Sequence, residues 1–233
     1  MSLIYGLDEL YGEQIPLIRN LKKAITKFPD VESRLSEALS RGQIQSKLWL
    51  IESLDNELKK VTKKQSIFIE AGWYGTLAFL MFERATFPIE KIRSFDIDPL
   101  CAPIADTINK DEVLNNWRFK ASTIDILNIN YDPYVTYKSL RNNGTEVELV
   151  DKPQVIINTS CEHIEQFDDW INTLPKNTLI VLQSNNLIHH EHVNRVDTLD
   201  QFKSQCSNLK ITFADKLFVE AADYTRFMIM GYK

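Results

Sequence analysis

Residues 66 to 96 constrain this chain more than any other stretch. An apolar run, Ile67-Phe68-Ile69, ends in Glu70 and is followed by a glycine turn, Ala71-Gly72-Trp73-Tyr74-Gly75-Thr76. An apolar helical run from Leu77 to Arg84 comes next, and after Pro88 a second buried-strand run, Ile92-Arg93-Ser94-Phe95, ends in Asp96. Strand, glycine turn, helix, strand, acid is the plan of a nucleotide-binding βαβ unit. The turn lets a ligand approach the backbone, and the acid after the second strand suits ribose hydroxyls.

Beyond this unit the rhythm of strands and helices continues, which implies a mainly parallel sheet. Strands are expected near Trp117 to Ala121, Gln154 to Asn158 and Thr178 to Gln183. Helices are expected after Asp98-Pro99, around Phe167 to Ile171 and from Asp197. The runs Leu217-Phe218-Val219 and Thr225 to Met230 read as an antiparallel pair at one sheet edge. Residues 131 to 151, with Asn143-Gly144 as turn dipeptide, read as an inserted hairpin. Residues 1 to 65 read as a helical extension, with Pro29 ending one helix, Asp30 capping the next and Gly42 stopping it. The expected division is therefore a helical lid at 1 to 65 and an α/β domain at 66 to 233.

With 233 residues the chain can bury a core of useful size. A net charge of −5 argues against a phosphate-tracking surface, although a local basic patch is compatible with it. Three scattered cysteines fit a reducing compartment and lack metal-ligand spacing. The acidic start, Met1 to Glu13, lacks the pattern of a signal peptide, and no window is long and apolar enough to span a bilayer. A soluble cytoplasmic protein is the expectation.

From about residue 43 onward the order of these features resembles the class I S-adenosylmethionine-dependent methyltransferases. Glu70-Ala71-Gly72-Trp73-Tyr74-Gly75 is similar to that family's acidic glycine turn, and Phe95-Asp96-Ile97-Asp98-Pro99 to its ribose-binding motif. Asp125 stands where the family places an acid near the adenine. Asn158 to Ile164, with Cys161-Glu162-His163-Ile164, is similar to the motif after the fourth strand, and Arg226 to Gly231 to the closing strand. The resemblance implies a doubly wound, seven-stranded, mostly parallel sheet whose last strand is antiparallel and lies between the fifth and sixth. It also implies S-adenosylmethionine as cofactor, held by Glu70, Gly72, Tyr74, Gly75, Asp96, Asp125 and Asn158. The turn departs from the pattern, because Tyr74 and Thr76 replace glycines and Gly75 is extra. A tyrosine there cannot admit a ligand to the backbone as glycine does.

Each of these residues also has a plainer role. Gly72 and Gly75 suit any turn, Asp96 suits a helix cap, Asp125 is equally an ordinary loop aspartate, and Trp73 and Tyr74 suit packing. Glu162 and His163 are the candidates for acid–base work on an acceptor, or for a local helix start. His189, His190 and His192 beside Glu191 read as a polar loop, and no metal site is expected from their spacing. Gln43 and Lys47 could cover the cofactor. The expected function is O- or N-methylation of a small molecule by in-line transfer, nucleic acid being disfavoured by the absence of an amino-methylating Pro-Pro-aromatic motif. A catalytically silent binding scaffold and a nicotinamide-dependent oxidoreductase are the alternatives.

Overall fold

The computed structural model describes residues 15–141 and 143–233; the reading of Met1 to Glu13 concerns residues outside these. Three helices open the described chain: α1 (Pro16–Lys27), α2 (Glu32–Ala38) and α3 (Arg41–Leu58). Asp30 lies inside a short 3-10 turn, Pro29–Val31, and does not cap α2. Nor does Gly42 stop a helix. It sits in the first turn of α3, whose cap is Ser40, accepting from the Gln43 amide. A side chain at Gly42 would meet Val219 at 2.8 Å, so close approach to a distant strand, not termination, accounts for this glycine.

The α/β part begins with β1 (Gln65–Glu70), α4 (Thr76–Arg84) and β2 (Ile89–Asp96). It continues through α5 (Cys101–Ile108), α6 (Lys110–Leu114), β3 (Phe119–Thr123), β4 (Val135–Leu140) and β5 (Glu146–Asp151). It ends with β6 (Val155–Asn158), α7 (Phe167–Thr173), β7 (Leu179–Asn185), α8 (Leu199–Gln205), β8 (Lys210–Val219) and β9 (Tyr224–Tyr232). Seven strands form one sheet in the order β3-β2-β1-β6-β7-β9-β8. All are parallel except β9, which runs antiparallel between β7 and β8. The order reverses between β1 and β6, and the crevice above such a reversal is where open α/β sheets bind ligands.

Both faces of the sheet are covered, which explains why β1, β6 and β7 are buried along their whole length. Helices α3, α4 and α5 pack on one face around Ile67, Ile69, Leu77 and Met81. Helices α7 and α8 pack on the other around Phe68, Ile156, Trp170 and Phe202. The hairpin β4–β5 joins that second layer and is tied to β3 by a Ser122–Ser139 hydroxyl bond of 2.9 Å. Helices α1 and α2 form a third cluster with Tyr74, Cys101, Ile104 and Ile108. Among the described residues no helix is long and apolar enough to cross a membrane.

One buried ionic cluster fixes the hairpin to the sheet. Asp151 accepts from Arg93 at 2.8 Å, Lys91 at 2.5 Å and the Tyr137 hydroxyl at 2.7 Å. Removing the negative charge would leave the buried Arg93 guanidinium without its counterion. Asp151→Asn should therefore lower unfolding free energy by about 3 kcal/mol, read by denaturant titration. A loss under about 0.5 kcal/mol would show that the pair is not a structural anchor.

Candidate functional site

At the tip of β1 the chain makes a cramped turn. Ala71 and Trp73 adopt left-handed φ angles of 53° and 49°, and Gly75 follows at 69°. Non-glycine residues held in that region cost on the order of 1 kcal/mol each and persist only where neighbours dictate them. Here the neighbour is β2. The Gly72 amide donates to the Phe95 carbonyl at 2.9 Å, and the Trp73 amide donates to Asp96 Oδ2 at 2.8 Å. Asp96 Oδ1 accepts from the Asp98 amide at 3.0 Å, and its carbonyl accepts from Ile124 at 2.9 Å. The glycine turn and the acid of the second strand are thus joined directly, tip to tip.

The glycines themselves answer to packing. A Cβ on Gly72 would lie 2.1 Å from the Ser94 hydroxyl, and one on Gly75 would lie 2.7 Å from Asn109 Nδ2. Tyr74 is fully buried, and its ring packs among α1, α2 and α5, with Trp73 stacked on it at 4.9 Å and the Arg34 guanidinium 5.5 Å away. The tyrosine therefore anchors the N-terminal helices rather than facing a ligand. Its hydroxyl is buried without a hydrogen-bond partner among the described residues.

Glu70 has its partners in the layer beneath the turn. Because β1 alternates, Glu70 shares the face of Phe68, where Trp170 Nε1 donates to it at 2.9 Å and the Tyr131 hydroxyl donates to its other oxygen. It is sealed from solvent, and burial pushes its carboxyl up to about 7 against the pull of Tyr131 and Trp170. These two bonds brace the turn from beneath and occupy both carboxylate oxygens. Asp125 caps a short turn, accepting from the Leu127 amide at 3.0 Å, and sits beside the β3 tip. Asn158, fully buried next to Glu70 in register, accepts from the Ser160 amide at 2.8 Å, while its amide nitrogen has no partner.

On the other side of the crevice, β6, β7 and β9 bring together groups from distant parts of the sequence. Glu162 is buried and accepts from Asn185 with one oxygen, and its other oxygen is unpartnered. His163 is exposed, with Nδ1 3.1 Å from the Glu191 carbonyl, and its ring lies 4.8 Å from that of His192. The amine of Lys47 lies buried at 2.6 Å from Gln43 Oε1, and burial with the nearby Arg226 charge lowers it to about 7. Arg226 is buried too, donates to the Thr159 carbonyl at 3.0 Å, and leaves Nε unpartnered. Neither cation has an ion-pair partner among the described residues. The convergence of Arg226 with Lys47 was invisible in sequence, since residues 47 and 226 meet only through the sheet order. Burial raises all three cysteine thiols, so none is a thiolate nucleophile.

No protein-family model and no curated protein sequence matches this chain. Solved structures do. The carbon methyltransferase CurJ aligns with TM-score 0.57 at 14% identity, over 99% of this chain and 70% of its own. The cyclase SpnF aligns with TM-score 0.56 at 9% identity, over 84% and 85% of the two chains. A putative sarcosine dimethylglycine methyltransferase from Galdieria sulphuraria aligns with TM-score 0.54 at 11% identity, over 82% and 86%. The chain has the Rossmann-like fold of the class I methyltransferases. At these identities the likeness is one of fold, and a cyclase among the neighbours shows that the fold hosts more than one chemistry.

Two predictions follow from the turn and its support. Tyr74→Phe removes a buried hydroxyl whose sole hydrogen-bonding contact among the described residues is a marginal one with the adjacent Trp73 side chain, so stability should hold or rise by up to about 1 kcal/mol. A clear loss in a melting experiment would mean the hydroxyl has a structural partner. Glu70 binds its proton more tightly folded than unfolded, so between roughly pH 4.3 and about 7 the native state holds the extra proton. Stability should therefore fall as pH rises through that window, and Glu70→Gln, which mimics the protonated form, should flatten the fall. Parallel pH profiles for both proteins would refute this.

Proposed function

We propose that the protein is an S-adenosylmethionine-dependent methyltransferase acting on a small molecule that carries a negatively charged group. The observation that carries the reading is the joining of the β1 turn to Asp96, whose Oδ2 accepts from the Trp73 amide at 2.8 Å. Asp96 accepts from two amides and the Cys101 thiol, and each carboxylate oxygen can take a further donor such as a ribose hydroxyl. Ile97, 69% exposed although apolar and next to that acid, offers a flat face to an adenine ring. The geranyl diphosphate C-methyltransferase of Streptomyces coelicolor, described in complex with S-adenosyl-L-homocysteine, aligns with TM-score 0.51 at 7% identity, over 78% of both chains. That neighbour supports the choice of cofactor.

The sulfonium supplies its own leaving group, so the protein's work is to hold the acceptor in line with the methyl group. In this reading Lys47 and Arg226 bind the acceptor's anionic group, because the Arg226 guanidinium lacks a carboxylate and an anion beside it would restore the proton that burial draws from Lys47. His163 donates its Nδ1–H to the Glu191 carbonyl, which leaves Nε2 as a proton acceptor. Glu162, with one oxygen unpartnered, is the other candidate base for a protonated nucleophile. Helices α1 and α2, fastened to Tyr74 and by Arg34 to Asp98 at 3.4 Å, form a lid beside the adenosine end. The reaction is O- or N-methylation in a cytoplasmic, small-molecule setting. The packing of Tyr74 among the N-terminal helices favours this reading over a silent scaffold.

Calorimetric titration with S-adenosylmethionine, S-adenosylhomocysteine and NAD tests the proposal. Binding of the two sulfur nucleosides and not of NAD is expected. Asp96→Ala should weaken that binding about tenfold or more, on the scale of a charge-assisted hydrogen bond. No heat at millimolar cofactor would favour a silent scaffold, and binding of NAD alone an oxidoreductase.

A further inference from the structure

We propose that Glu162, His163 and His192 form a site for one divalent first-row transition ion at the acceptor side of the crevice. One ligating atom from each lies within 4.8 Å of the others. Three details point at an ion rather than a chance cluster. First, Glu162 is only 3% exposed, yet its Oε2 has no hydrogen-bond partner, and a buried carboxylate oxygen left bare is costly unless something cationic meets it. Secondly, its other oxygen is held by Asn185, which fixes the direction of the free one.

Thirdly, the two imidazoles are set in matching fashion. His163 Nδ1 faces the Glu191 carbonyl at 3.1 Å, and His192 Nδ1 faces the Leu187 carbonyl at 2.8 Å. A carbonyl can only accept, so each ring carries its proton on Nδ1 and presents the Nε2 lone pair. A backbone carbonyl behind each histidine is the usual outer support of a metal ligand. An ion with bonds of about 2.1 Å in tetrahedral geometry spaces its ligands about 3.4 Å apart. The exposed His163 and half-buried His192 lie on loops, so a small shift of each loop that keeps its Nδ1–carbonyl bond would bring the ligands to that spacing.

Two imidazoles and one carboxylate select zinc, manganese, iron or cobalt over magnesium or calcium, which prefer all-oxygen shells. Three protein ligands leave at least one coordination position for water or for an acceptor oxygen. Where the methyltransferase reading holds, an ion there would draw the proton from a bound hydroxyl more readily than a free side chain does. The binding of the ion does not depend on that reading. Spacing along the chain hid the set, because residues 163 and 192 belong to different loops. His190, exposed and outside the set, serves as the control.

The test is zinc titration of the untagged full chain after chelator stripping, without cofactor, with magnesium as comparison. One equivalent of zinc should bind, and magnesium at least a hundredfold more weakly. Glu162→Gln and His192→Ala should each weaken zinc tenfold or more, and His190→Ala should leave it unchanged. No stoichiometric zinc, or zinc retained by both variants, overturns the site, as does loss of zinc with His190→Ala alone. If Glu162→Gln fails to fold by circular dichroism, His192→Ala, on a surface loop, decides. Zinc bound by a chain that does not bind S-adenosylmethionine would keep the metal site and reject the methyltransferase reading.

Discussion

The bond from the Trp73 amide to the Asp96 carboxylate is the constraint from which the rest of the crevice takes its shape. It joins the turn after β1 to the tip of β2 and holds Trp73 in a left-handed conformation that a bulky residue seldom adopts. With Trp73 held there, Tyr74 is directed into the N-terminal helices and Gly72 is pressed against Ser94. The turn thus organises two surfaces at once, the tip joined to Asp96 and an apolar socket for α1 and α2. Glu70 supports it from below through Trp170 and Tyr131, so that the strand tip is fastened to both layers of the sheet.

Much of this fold was legible in sequence for a simple reason. Ile67-Phe68-Ile69 is a short apolar run closed by Glu70 and a glycine turn, and Ile92 to Asp96 is a short run after Pro88 closed by an acid; their length and flanking breakers mark both as buried strands. The antiparallel place of β9 was legible only through family resemblance, since nothing in Thr225 to Met230 states which strand it joins. Side-chain direction was the part that sequence concealed. Glu70 looked like a ligand because of its motif, but the two-residue period of β1 turns it onto the Phe68 face. Tyr74 looked like an obstruction to a cofactor, but the left-handed residue before it turns the ring away. Gly42 looked like a helix stop, whereas its small size serves a contact with Val219 that lies far along the chain.

The same limit applies to the acceptor side. Lys47, Arg226, Glu162 and His192 come from α3, β9 and two loops, and only the sheet order β1-β6-β7-β9 gathers them. The result is a division of labour across the crevice. The β1–β2 side offers backbone amides, a carboxylate and an exposed isoleucine, suited to a nucleoside. The β6–β7–β9 side offers buried cations and an incompletely satisfied Glu–His cluster, suited to an anionic, oxygen-bearing molecule.

The most direct test of this division is a crystal structure with S-adenosylhomocysteine bound. The account predicts ribose hydroxyls on Asp96, the adenine against Ile97, and the sulfur directed across the crevice toward Glu162 and His163. A nucleoside lodged elsewhere, or one in the crevice with its sulfur turned away from the β6 tip, would contradict it.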